Sequence, residues 1–179
     1  MDRPPTARSA VPGPGRLGLL EPTASADLQT LEWSNPESIE LLWALSRAAN
    51  PDLALRSVVR LAEALGAGWA ELDALLRTDK ALRGRLFGVI GASSAFADHL
   101  VAEPDSWHRL RDSDLPSRQE LIDDMLDLVE AKPETGPNAA ELLYRAAMTG
   151  PATVALLRRR YRDHLMLLAA VDLAATVEN

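Results

Sequence analysis

GRLFGVIGASSAFADHLVAEPDSW, residues Gly84 to Trp107, is the stretch whose reading decides the fold. Leu82, Leu86, Val89 and Ile90 fall at helical spacing, and Gly91 stops that helix. The run Gly91-Ala92-Ser93-Ser94 is then a turn of small residues, which lets two helices approach closely. A second helix follows, and Pro104 starts a third element that ends on Trp107. Helix, tight turn, helix is the pattern of a bundle.

Working outward, the same punctuation recurs. Asn35 caps a helix that starts at Pro36 and runs to about Ala49, with Glu37 complementing its dipole and Ile39, Leu42, Trp43 and Leu45 on its apolar face. Asn50-Pro51-Asp52 repeats the cap-then-proline logic for a helix carrying Leu53, Leu55, Val58, Val59, Leu61, Ala62 and Leu65 up to Gly66. Gly66-Ala67-Gly68 turns into a helix over Trp69 to Leu76, and Thr78 is expected to cap the helix of the opening stretch. Beyond Trp107, Arg109 to Pro116 is polar and reads as a loop. Ser117-Arg118-Gln119-Glu120 is a capping box, and Leu121, Ile122, Met125, Leu126 and Val129 make one apolar stripe behind it. Lys132 to Pro137 breaks that helix, and Asn138 with Glu141 starts a short helix ending near Met148. Thr149-Gly150-Pro151 turns into a last helix towards Thr176.

Composition supports an all-α fold. Apolar residues make up 47% of the 179 positions but aromatic ones only 4%, so the core is built from Leu, Ala and Val, of which Leu and Ala are among the best helix formers. Strand-like alternation is sparse, so no sheet is expected. Residues 1–35 are rich in Pro, Ser, Thr and Gly and read as a flexible tail, with Leu17-Gly18-Leu19-Leu20 as one apolar patch able to dock on the body. Residues 36–179 form the helical region. A net charge of −7 argues against a nucleic-acid surface. The absence of Cys removes thiolate nucleophiles and thiolate metal sites. No apolar run reaches the roughly 18 residues of a membrane span. The protein is expected in the cytoplasm.

The last helix changes character along its length. Up to Asp163 it is amphipathic, with Val154, Leu157 and Tyr161 on one side and Arg158, Arg159, Arg160 and Arg162 elsewhere. From Leu165 to Ala175 it is apolar all round except for Asp172, which calls for partners on every side. The expectation is that the sequence is cut from a longer protein.

Residues able to carry chemistry are few. Asp112-Ser113-Asp114 has the Asp-x-Asp spacing of a metal-binding carboxylate pair, but it lies in a polar loop with no strand to align the carboxylates on one face. His99, His108 and His164 share no metal-ligand spacing. Leu61 to Leu76 has the outline of a helix-turn-helix, yet Glu71 and Asp73 would face the phosphates and repel them. Arg158-Arg159-Arg160-Tyr161-Arg162 reads first as a solvated face beside Asp163 and His164, and second as a contact for an acidic partner or a nucleotide. Trp33, Trp43, Trp69 and Trp107 read as packing anchors. No catalytic, cofactor-binding or metal-ligating residue is assigned.

The order of these packing motifs resembles the N-terminal helical region of the bifunctional glutamine synthetase adenylyltransferase/adenylyl-removing enzymes, in their actinobacterial form. The likeness rests on Leu86, Ala92-Ser93-Ser94, Asp98-His99-Leu100 and Pro104 to Trp107, and it extends to Gly15 to Leu19, Glu40 to Arg47, Leu82 to Phe87 and Leu165 to Glu178. One departure stands out. The family's final helix reads Arg-Ile-Ala-x-Arg-Asp-Leu, where this chain has Leu167-Leu168-Ala169-Ala170-Val171-Asp172-Leu173, so a salt bridge from those arginines to Asp172 does not carry over.

The resemblance implies a parent enzyme of nitrogen control with two nucleotidyltransferase domains. The C-terminal one moves AMP from ATP to a tyrosine of glutamine synthetase; the N-terminal one removes it by phosphorolysis. ATP and Mg²⁺ would serve the parent and not this segment, and a PII-type signal protein and glutamine synthetase would be its partners. The segment itself is expected to be an inert scaffold or partner surface preceding the first nucleotidyltransferase domain, with no nucleic-acid or membrane partner. The alternative is a stand-alone helical interaction module. A transcriptional regulator is a minor third reading.

Overall fold

The structure, a computed structural model, describes residues 11–111, 114–135 and 142–178. Within them lie eight α-helices: α1 (Ala24–Thr30), α2 (Ile39–Ser46), α3 (Pro51–Leu65), α4 (Trp69–Thr78), α5 (Lys80–Ala92), α6 (Ser94–Ala102), α7 (Arg118–Leu128) and α8 (Pro151–Glu178). Short 3-10 turns occupy Pro14–Leu17, Pro36–Ser38, Gly66–Gly68 and Pro104–Arg111. The chain is therefore predominantly α, as expected.

The opening stretch is the centre of the bundle. Every residue of α5 from Leu82 to Gly91 is buried. The helix packs on α2, α3, α4, α6 and most extensively on α8. Two glycines permit this crowding. A Cβ at Gly88 would meet the Leu173 side chain of α8 at 3.2 Å, and one at Gly91 would meet Ala48 at 2.7 Å. The two arginines of α5 are buried as well, and each serves a neighbouring helix end. Arg83 Nη1 donates to Leu76 O at 3.0 Å at the end of α4. Arg85 Nε donates to Leu110 O at 2.6 Å and Nη2 to Arg111 O at 3.0 Å. The last carbonyls of a helix have no intrahelical partner and carry partial negative charge, so a guanidinium there satisfies both needs.

The expected flexible tail over 1–35 is corrected for its described part. From Val11 onward the chain is folded, and Leu17, Leu19, Ala24, Leu28, Leu31 and Trp33 enter the core. Leu17 and Leu19 of the apolar patch are buried while Leu20 is exposed. Asp52, at the start of α3, accepts the Leu20 N–H at 3.0 Å and the Glu21 N–H at 3.1 Å, which pins the segment. Trp33 stacks obliquely between Trp69 and Phe87, with ring centroids 6.1 Å apart in each case. Its indole N–H donates to Asp73 Oδ1 at 2.8 Å. Residues 1–10 lie outside the described residues.

Three further expectations change. Asp79, not Thr78, caps α5, accepting the Leu82 N–H at 2.9 Å, while the Thr78 hydroxyl bonds back to Ala74 O. A carboxylate one residue further on is the stronger cap acceptor. Part of the polar run Arg109 to Pro116 is helical, because the 3-10 turn Pro104–Arg111 buries Trp107 and Leu110. Where a short helix to Met148 was expected, Lys132–Thr135 (β1) and Leu142–Arg145 (β2) pair as an antiparallel hairpin, with Lys132 opposite Arg145 and Glu134 opposite Leu143. Arg145 forks onto Glu134 at 2.9 Å across the pair, a diagonal contact that a helix could not make between these positions. The remainder of that expected helix, 138–141, lies outside the described residues. The capping box of α7 is present as read, with Ser117 and Glu120 bonded reciprocally.

Candidate functional site

The polar side chains that remain after capping gather where α8 meets α6, α7 and the 3-10 turn Pro104–Arg111. Asp163 sits on the inner face of α8 and is buried. Its Oδ1 lies 2.7 Å from His99 Nε2 on α6, and its Oδ2 lies 3.4 Å from Arg109 Nε. One turn away, Arg160 Nη1 reaches Asp124 Oδ1 of α7 at 2.8 Å. His164 Nε2 stands 2.8 Å from Asp124 Oδ2, although that oxygen accepts no aligned hydrogen bond. Arg159 pairs with Glu103 at 3.0 Å. Desolvated charges are tolerable only when partnered, and this layer partners them across four elements.

The arginine cluster is thereby split. Arg159, still exposed, pairs with Glu103 at the end of α6, Arg160 is half-buried against Asp124 of α7, and the neighbouring Asp163 and His164 are buried. Arg158 and Arg162 point outward and make no ion pair among the described residues. They border two adjoining clefts between α6 and α8. One, of about 530 Å³, is lined by Ala95, Phe96, Asp98, His99, Arg162 and Leu165. The other, of about 300 Å³, has His99, Glu103, Arg158, Arg159 and Arg162 in its walls.

The remaining sequence candidates are dispersed. His108 stacks on Trp107 with ring centroids 3.8 Å apart. Asp112 and Ser113 lie outside the described residues, so their candidate carboxylate pair is not placed. Asp73 of the helix-turn-helix outline is held by Trp33 and by Arg77 at 2.8 Å, turned to the body and not outward. Trp33 and Trp107 are buried anchors, and Trp43 and Trp69 pack against the core. Among the described residues no three His, Cys, Asp or Glu side chains gather as a metal site, and no helix is long and apolar enough to cross a membrane. The His99–Asp163 link was missed in the sequence because its partners are 64 residues apart.

The apolar half of the last helix is not covered on every side among the described residues. Met166, Leu167 and Ala170 are buried, but Leu165 and Leu168 are 37% and 38% exposed. Its apolar half is covered on one side only.

Fold and site together describe an α-helical segment whose buried charges join helices to one another. Compared with curated proteins, the chain is 63% identical over 179 residues to the bifunctional glutamine synthetase adenylyltransferase/adenylyl-removing enzyme of Nocardia farcinica, covering 100% of this chain and 18% of that protein. The same-named proteins of Mycolicibacterium smegmatis and Mycobacterium tuberculosis are 47% and 44% identical, over 99% and 97% of this chain and 17% and 16% of theirs. The chain is homologous along its whole length to the N-terminal region of these bifunctional enzymes, and it spans about a sixth of their length. No family model matches it. No solved structure matches it.

Proposed function

We propose that this chain is the helical scaffold of an enzyme that attaches AMP to glutamine synthetase and removes it again, working in the cytoplasm. The observation that carries the reading is identity over the full chain to proteins of that name, 63% for that of Nocardia farcinica. The scaffold role rests on what the polar residues do. Arg83, Arg85 and Asp52 satisfy backbone groups of neighbouring segments, and Asp163, Asp124 and Glu103 tie α8 to its surroundings.

ATP and Mg²⁺ belong, on this reading, to other parts of the longer protein, as does regulation by a PII-type partner. A Mg²⁺–triphosphate site needs converging carboxylates, and this reading is supported by Asp163, Asp124 and Glu103 each being engaged by an arginine of a neighbouring segment. The test is AMP incorporation into glutamine synthetase from labelled ATP. The longer protein should label its substrate, and this segment alone should not. Labelling by the segment alone would overturn the scaffold role; no labelling by the longer protein would overturn the family reading.

A further inference from the structure

We propose that the outward face of α8 is an interface with a second copy of this chain, formed by two α8 helices crossing antiparallel about Leu165. The exposed apolar residues of α8 include Tyr161, Leu165 and Leu168, at 56%, 37% and 38% exposure. Spacings of four and three residues put them on one helical face. Arg158 precedes Leu165 by seven residues and Asp172 follows it by seven. Seven residues are close to two helical turns, so both charges lie within the same stripe as Leu165. Both are exposed.

That arrangement is its own complement. When a second α8 is laid antiparallel with Leu165 on the two-fold axis, Arg158 of each copy comes level with Asp172 of the other. Tyr161 and Leu168 lie on the same side of the stripe, so each Tyr161 comes level with the other copy's Leu168. The contact thus has one apolar pair on the axis, two apolar pairs beside it and two ion pairs at its ends. An isologous contact of this kind closes at two copies. It uses Arg158, which has no ion-pair partner among the described residues, and the exposed Asp172. A nucleic acid or an anionic membrane would meet a chain of net charge −7 and leave Asp172 facing like charge. One helix face is a small interface, so the dimer is weak and visible at high protein concentration.

Sedimentation equilibrium of the chain over a wide concentration range reads the association directly. The expected result is a monomer–dimer equilibrium with no higher species. Arg158→Asp and Asp172→Arg should each weaken it about tenfold, and the two together should restore most of it, as expected for an exchanged charge pair. Both positions are exposed, and an unchanged unfolding midpoint confirms that the variants are folded. A second readout fixes the geometry. The chain has no Cys, so Leu165→Cys is its sole thiol, and mild oxidation should link two copies through it, whereas Glu71→Cys on α4 should not link. A monomer throughout the range, single charge swaps without effect, growth beyond two copies, or equal linking by both thiols would each overturn the proposal.

Discussion

A Cβ placed on Gly91 would stand 2.7 Å from the Cβ of Ala48, closer than methyl carbons approach in folded proteins. The turn between α2 and α3 lies against the end of α5 at that point, with Asn50 O and the Ala54 Cβ each 3.5 Å from the same position. Gly91→Ala gains up to about 1 kcal/mol of helix propensity and loses about 1–3 kcal/mol to overpacking. The expected outcome is a net destabilisation of about 1–2 kcal/mol, read from urea unfolding. Gly88→Ala, with its nearest atom at 3.2 Å, should cost less.

Removing Asp163 strips both His99 and Arg109 of their partner. The carboxylate is buried, so Asp163→Ala should lower stability by about 3 kcal/mol, the range for breaking a buried pair. His99→Leu should also destabilise. In the double variant the losses should fall well short of their sum, and a double-mutant cycle measured by denaturant melts checks the coupling. Additive losses would mean that the 2.7 Å contact contributes little.

Trp33 is fully buried, and Asp73 accepts its indole N–H. Asp73→Ala leaves that donor without a partner and should cost about 1–3 kcal/mol, with a change in tryptophan emission in the native state. Asp73→Asn keeps an acceptor oxygen and should cost less. Equal losses in the two variants would point to Arg77, the other partner of Asp73, as the greater contributor.

The pH dependence of α7 follows from its capping box. The Ser117 side chain, and after it the Ser117 backbone N–H, hold the Glu120 carboxyl below its ordinary range. A carboxyl lowered in the folded state stabilises above its unfolded pKa, and that stabilisation is lost as pH falls through the folded value. Acidification below the ordinary carboxylate range should therefore fray the start of α7 before the core melts. Amide exchange at Ser117 and Glu120 reads it. Glu120→Gln should remove the pH dependence, and Ser117→Ala should cost about 1 kcal/mol at neutral pH.

What was legible in the sequence is what local chemistry sets. Asn50-Pro51 opens α3, Gly66 ends it, and Ser117 with Glu120 opens α7, each by contacts within four residues. What stayed hidden depends on distant partners. Arg83 and Arg85 look like surface residues until the carbonyls of Leu76 and Leu110 are brought to them, which is why the all-round burial of α5 could not be read. The segment 11–33 was disguised by its Pro, Ser and Gly content, since Leu17, Leu28, Leu31 and Trp33 are too widely spaced to show a period. On α8 the apolar run calls for cover on all sides, and packing within the described residues buries the face of Met166, Leu167 and Ala170. Of the site, the arginine cluster was visible, but its division into two bound and two unbound cations was not.

The central position of α5 has a consequence for synthesis. Its largest neighbour, α8, leaves the ribosome about sixty residues later, a delay of roughly 3–12 s at about 5–20 residues per second. During that interval α2 to α4 can already cover one flank, but the flank of Gly88 awaits Leu173. The newborn chain thus leaves that flank of α5 uncovered until α8 arrives, and a chain terminated before α8 should leave it exposed and prone to association.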